Sequence, residues 1–114
     1  MDLGGSEGGS FYIVTIAGKI DRLKDSIVLK SYLNTVLEKG VVNIAINLSK
    51  VTYLDSGALN VIIYGHDAAT KRGGKLVLIA PNEYVNDVLS VVGLNKLVKI
   101  YPAEEDFANA SKTH

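Results

Sequence analysis

Short apolar runs and longer stretches of helical period alternate along this chain. Phe11 to Ala17 (Phe-Tyr-Ile-Val-Thr-Ile-Ala) is rich in β-branched and aromatic residues and predicts a strand. Gly18 breaks it, and Gly18 to Leu23 reads as a loop. A helix then starts at Asp25 or Ser26. Leu29, Tyr32, Leu33, Val36 and Leu37 recur at helical spacing and give it one apolar face, with Gly40 as a stop. Val41 to Leu48 is apolar except for Asn43 and Asn47, which suits a buried, parallel strand. Ser49 to Leu54 reads as a loop. A second helix runs from Ser56 to about Arg72, with Leu59, Ile62, Ile63, His66 and Ala69 or Thr70 sharing a broad face. Gly73-Gly74 ends it.

Lys75 to Ala80 predicts a third strand. Pro81 stops it, and Asn82 caps a helix that turns Val85, Val88, Leu89 and Val92 inward. Gly93 ends this helix, Leu94 to Leu97 makes a link, and Val98 to Tyr101 is a short strand. Ala103 to Ala110 forms a last helix, whose acidic first turn (Glu104, Glu105, Asp106) matches the positive end of the helix dipole. Strands alternating with helices imply an α/β domain: a mainly parallel central sheet with flanking helices. The glycine- and serine-rich segment Met1 to Ser10 carries no clear strand signal. It reads as a flexible tail, with the domain running from residue 11 to 111.

Functional loops in such folds lie at the carboxyl ends of strands. Val51-Thr52-Tyr53-Leu54-Asp55-Ser56-Gly57-Ala58-Leu59-Asn60 occupies that position. Asp55 sits where an N-cap is wanted, and its carboxylate can accept a free amide of the first turn. Ser56 then falls at the first helical position, where unpaired N–H groups and the positive end of the macrodipole gather. A phosphate on such a serine is electrostatically well placed. The plainer alternative is that Asp55 only caps the helix and Ser56 only fills its first turn.

Composition removes several function classes. A length of 114 residues suits one domain. With 12 basic and 12 acidic residues, nothing favours nucleic acid or an anionic membrane as a direct partner. No Cys is present, so there is neither a disulfide framework nor a thiolate metal site, which fits a cytoplasmic protein. No apolar run approaches the roughly 20 residues that span a bilayer. The only histidines are His66 and His114. Ser56 and His66 are separated along one helix by ~15 Å, too far for proton transfer. No spacing suits a metal site or a P-loop, so no catalytic residue, metal or cofactor is expected, and the chain reads as a non-enzyme. Asp67 and Lys71 suit an i,i+4 pair on an exposed face.

Val51 to Leu59, followed by Gly73-Gly74-Lys75-Leu76-Val77-Leu78, resembles the STAS domain of bacterial anti-sigma factor antagonists. Val88-Leu89-Ser90-Val91-Val92-Gly93-Leu94 and Val98-Lys99-Ile100-Tyr101 resemble the family's ending, so the likeness covers about Phe11 to Phe107. The resemblance implies a single STAS-like domain acting as a binding switch. An anti-sigma factor with serine-kinase activity would phosphorylate one serine, and a PP2C-type phosphatase would reverse this. Unphosphorylated antagonist would sequester the anti-sigma factor and free the sigma factor. By position the serine is Ser56 and the motif aspartate Asp55. Gly18-Lys19-Ile20-Asp21 resembles the family's Gly-x-hydrophobic-Asp loop, which makes Asp21 a partner contact beside Asp55, Ser56, Gly57 and Asn60.

Two departures stand out. Where the family has Ser, Thr or Ala and then Gly after the phosphoserine, this chain has Gly57 and Ala58. The family also has a strand before the one matching Phe11 to Ala17, where this chain offers the glycine-rich segment. A truncated strand, a replaced one, or one paired from a second copy in a homodimer are all compatible with that. Two rival readings remain. One is a STAS scaffold not regulated by phosphorylation. The other is a small hydrolase or a phosphoaspartate receiver using Asp55, which would need more acidic residues converging on Mg²⁺ than Asp21 and Asp55 supply.

Overall fold

The computed structural model describes residues 1–111, and in it the apolar runs become strands and the helical periods become helices. The elements in order are β1 (Asp2–Gly8), β2 (Phe11–Ile20), α1 (Leu23–Glu38), β3 (Asn43–Leu54) and α2 (Ser56–Lys71). Then follow β4 (Lys75–Ile79), α3 (Glu83–Val91), α4 (Leu94–Leu97), β5 (Lys99–Tyr101) and α5 (Glu104–Ser111). The strands lie side by side in chain order, β1-β2-β3-β4-β5. β1 runs antiparallel to β2, and the pairings β2–β3, β3–β4 and β4–β5 are parallel. The architecture is the expected single α/β domain, with a mixed sheet that is parallel apart from one edge.

Parallel crossovers are right-handed. Because the strand order never reverses, α1, α2 and α3 all fall on the same face. That face holds the main core: Val14 and Ile16 of β2, Leu29 and Leu33 of α1, Ile46 of β3, Ile62 of α2, Leu78 of β4 and Leu89 of α3 are all buried in one cluster. On the other face, Phe107 of α5 meets the Phe11 and Tyr101 rings edge-on at 5.2 and 5.5 Å, over Ala45, Val77 and Ile79.

Five local expectations need correction. The segment read as a tail contributes β1, paired from Asp2 opposite Ala17 to Gly8 opposite Phe11. What holds it is backbone pairing, which needs no side-chain pattern and so leaves no trace in hydropathy. A Cβ on Gly5 would overlap the hydroxyl oxygens of Tyr12 and Tyr32, which face each other at 3.1 Å. Glycine is therefore what lets the strand pass this pair. The hydrogen bond to Tyr12, together with burial, pushes the Tyr32 phenol up to about 12. The first strand of the sheet thus comes from the chain itself.

The segment Ser49 to Leu54, expected as a loop, is strand. It continues β3 beside the end of β2, with Gly18 opposite Val51 and Ile20 opposite Leu54. Irregularities between Thr15 and Ala17 and between Gly18 and Lys19 re-phase the pairing, so Val51 and Leu54 point inward while Thr52 and Tyr53 stay exposed. Helix α1 starts at Leu23 rather than at Asp25 or Ser26, behind Arg22, with no side-chain cap. Val92 is the C-cap of α3 and not part of its buried face, and it stands 53% exposed. Asp67 and Lys71 are both exposed and form no ion pair among the described residues. His66 is half-buried on α2, as expected of a helix residue, whereas His114 lies outside the described residues.

Candidate functional site

Leu54 is buried, so β3 ends inside the domain and the chain must leave the sheet at Asp55. Asp55 keeps an extended backbone (φ −102°, ψ −176°) while its Oδ1 accepts the Ala58 amide at 2.9 Å. Its own N–H donates to the Ile20 carbonyl at 3.0 Å, and its carbonyl accepts the Leu59 amide at 3.1 Å. The side chain thus caps α2, and the backbone fastens the cap to the neighbouring strand. This is the cap that the residue pattern predicts.

Ser56 opens α2 and is exposed. The Ala58 amide is taken by Asp55, while the Ser56 and Gly57 amides precede the first intrahelical acceptor. An anion on the Ser56 oxygen would face these donors and the positive end of the macrodipole. Asn60 lies four residues on, hence on the same helix face, and is also exposed. Gly57 is half-buried against α1. A Cβ there would sit 2.7 Å from the Ser26 Oγ and 3.2 Å from the Asp55 Oδ1.

Asp21 follows Ile20 at the end of β2, and Ile20 is paired with Leu54. The two acidic residues, Asp21 and Asp55, therefore leave adjacent strand ends. Asp21 is exposed and lines an open cleft of about 600 Å³ with Lys19, Thr52, Tyr53 and Tyr84. The Tyr53 and Tyr84 rings stack at 5.9 Å with an interplanar angle of 17°, and both remain partly exposed.

All five residues singled out as partner contacts therefore sit at one end of the sheet. Asp55, Ser56 and Gly57 share one turn, Asn60 the next, and Asp21 the adjacent strand end. Sequence reasoning missed Tyr53, Tyr84 and Ser26. Tyr53 had a signal, being an aromatic on the polar phase of a strand. Tyr84 and Ser26 had none, because their placement depends on tertiary packing. Among the described residues no group of three His, Cys, Asp or Glu side chains is placed to hold a metal ion. None of the described helices is long and apolar enough to cross a membrane.

The chain is similar to several known proteins. A candidate anti-sigma factor antagonist of Thermotoga maritima is 42% identical over 65 residues, an alignment spanning 57% of this chain and 58% of that protein. The crystal structure of a candidate anti-sigma factor antagonist from the same organism superposes with a TM-score of 0.88 at 26% identity, over 96% of this chain and 94% of that one. The anti-sigma factor antagonist SpoIIAA in its unphosphorylated form shares the fold, with a TM-score of 0.83 at 15% identity over 99% of this chain and 98% of its own. A structure of SpoIIAA from Bacillus in the phosphorylated form gives a TM-score of 0.74 at 14% identity, over 96% of this chain and 98% of that one. The STAS domain family model matches residues 6–107, and the chain belongs to that family.

Proposed function

We propose that this protein is an anti-sigma factor antagonist whose Ser56 is the phosphorylated switch residue. The observation that carries the reading is the exposed Ser56 hydroxyl at the capped mouth of α2, with Asp55, Asp21 and Asn60 around it. Its relatives' names and the phosphorylated form of SpoIIAA support the same reading. The partner is an anti-sigma factor with serine-kinase activity. Unphosphorylated protein sequesters it and releases the sigma factor, and a PP2C-type phosphatase resets the serine. The exchange takes place in the cytoplasm, and the chain catalyses no reaction of its own.

The switch is electrostatic. A neutral hydroxyl can sit against a partner surface at little desolvation cost. A phosphate brings a charge of roughly −2 beside the Asp55 carboxylate, and binding would have to strip water from both. The helix N-terminus offsets ~1 kcal/mol or less of this at an exposed site. Isothermal titration against the isolated anti-sigma factor tests it. Wild type and Ser56→Ala should bind alike, Ser56→Asp more weakly, and protein phosphorylated at Ser56 weakest of all. Equal affinity across the four would remove Ser56 as the switch. It would leave the second reading, a STAS scaffold unregulated by phosphorylation, which the Gly57-Ala58 order favours.

A further inference from the structure

We propose that Ser26 is a positioning residue for Ser56, acting through Gly57. The inference rests on the switch reading above for its functional meaning, but its structural content stands apart from it. Ser26 lies on α1, 30 positions before Ser56 (56 − 26), and is 6% exposed. Its Oγ is buried and has no hydrogen-bond partner among the described residues. A buried hydroxyl without a partner is costly, and nothing in the α1 helix requires one at this position.

What the hydroxyl does is fill space. It stands 2.7 Å from where a Cβ on residue 57 would be, a separation that two such atoms do not adopt. The Ser26 Cβ is 3.5 Å from the same point, an ordinary contact. One oxygen atom on α1 is therefore the nearest obstacle to a side chain on the residue after Ser56. The remaining neighbour, Asp55 Oδ1 at 3.2 Å, is the cap acceptor itself. A side chain forced in at position 57 would have to turn the Ser26 hydroxyl away, move α1 or move the cap. Moving the cap would release the Ala58 amide and reorient the turn that presents Ser56.

Two consequences follow for the switch. The bare backbone at Gly57 lets the first turn of α2 lie close against α1, which fixes the orientation in which that turn presents the Ser56 hydroxyl. In addition, a buried residue on α1 constrains that turn from behind, which accounts for the glycine at position 57.

The test is a cycle of four proteins: wild type, Ser26→Ala, Gly57→Ala and the double variant Ser26→Ala/Gly57→Ala. Amide hydrogen exchange of Ala58 reports the Asp55 cap, and the Val85 amide, capped by Asn82, serves as an internal control. Gly57→Ala should speed Ala58 exchange by about fivefold or more, the order expected for loss of an N-cap, without changing Val85. The double variant should recover most of the Ala58 protection, because the 2.7 Å overlap is gone and only the 3.2 Å approach to Asp55 Oδ1 remains. If Gly57→Ala fails to fold while the double variant folds, the rescue supports the proposal in another form. Unchanged Ala58 exchange in Gly57→Ala would overturn it, and so would a double variant as perturbed as, or no better folded than, the single one. The same four proteins are then titrated against the isolated anti-sigma factor. Gly57→Ala should weaken binding and the double variant should recover it. If exchange follows the prediction but affinity does not, Ser26 positions the turn and the binding surface lies elsewhere, which counts against the switch reading and not against the Ser26 contact.

Discussion

Helices α2 and α3 both begin behind an extended residue whose side-chain oxygen accepts the amide three positions on. Asp55 accepts from Ala58 at 2.9 Å, and Asn82 from Val85 at 2.8 Å. Beyond that the two mouths differ. Asn82 also donates through its Nδ2 to the Val51 carbonyl at 3.0 Å, so its side chain ties helix to sheet. Asp55 has no donor to give, and its tie to the sheet is the backbone bond to Ile20. At α3 an amide side chain does two structural tasks, and neutrality suits it. At α2 the backbone takes over the second task, and a charged side chain stands where a neutral one would cap as well. The exposed serine follows the charged cap, whereas Glu83 follows the neutral one.

The largest effect should come from Asn82→Ala. It removes a cap and strips the Val51 carbonyl of a donor, for a combined loss of about 2 kcal/mol in urea denaturation. Asp55→Ala removes only the cap and should cost about 1 kcal/mol. If Asp55→Ala proves the more damaging of the two, the carboxylate has a structural duty beyond capping and the contrast between the mouths fails. The smallest effect on stability belongs to Asp55→Asn, because Asn and Asp cap about equally well, and the change should stay within ~0.5 kcal/mol. The same substitution should nevertheless alter affinity for the anti-sigma factor, since it deletes a charge at the proposed interface. Unchanged stability together with unchanged affinity would show that the charge at position 55 has no role in binding.

Both helix mouths are legible in the residue pattern alone. An Asx residue three positions ahead of an apolar periodic run names the cap, and Asp55 and Asn82 both occupy that place. The buried strands are legible for the same reason, since Ile44 to Leu48 and Leu76 to Ile79 leave no other use for their side chains. What the pattern does not carry is whatever rests on backbone pairing or on distant contacts. β1 carries four glycines or serines at Gly4, Gly5, Ser6 and Gly8, so its alternation is invisible and only its register with β2 reveals it. The second half of β3 reads as a loop because the irregular pairing with β2 shifts the phase of its inward positions. Most of the site is legible along the chain, and Asp21 enters only through the likeness of Gly18-Lys19-Ile20-Asp21 to the family's loop. Asp55, Ser56, Gly57 and Asn60 follow one another in sequence. The contact between Ser26 and residue 57 needs α1 and α2 to be packed first.

The unreversed strand order also bears on how the molecule is made. Every strand pairs with the one synthesised just before it, so no strand waits for a partner that has not yet emerged. The β1–β2 hairpin can close first, and each later helix–strand unit then adds to a ready edge. Such a topology keeps the closing loops short, which favours fast folding. It also lets the domain grow from its N-terminus while the remainder is still on the ribosome. The Asp55 turn would be complete once α2 has docked on α1, before β4 has paired with β3.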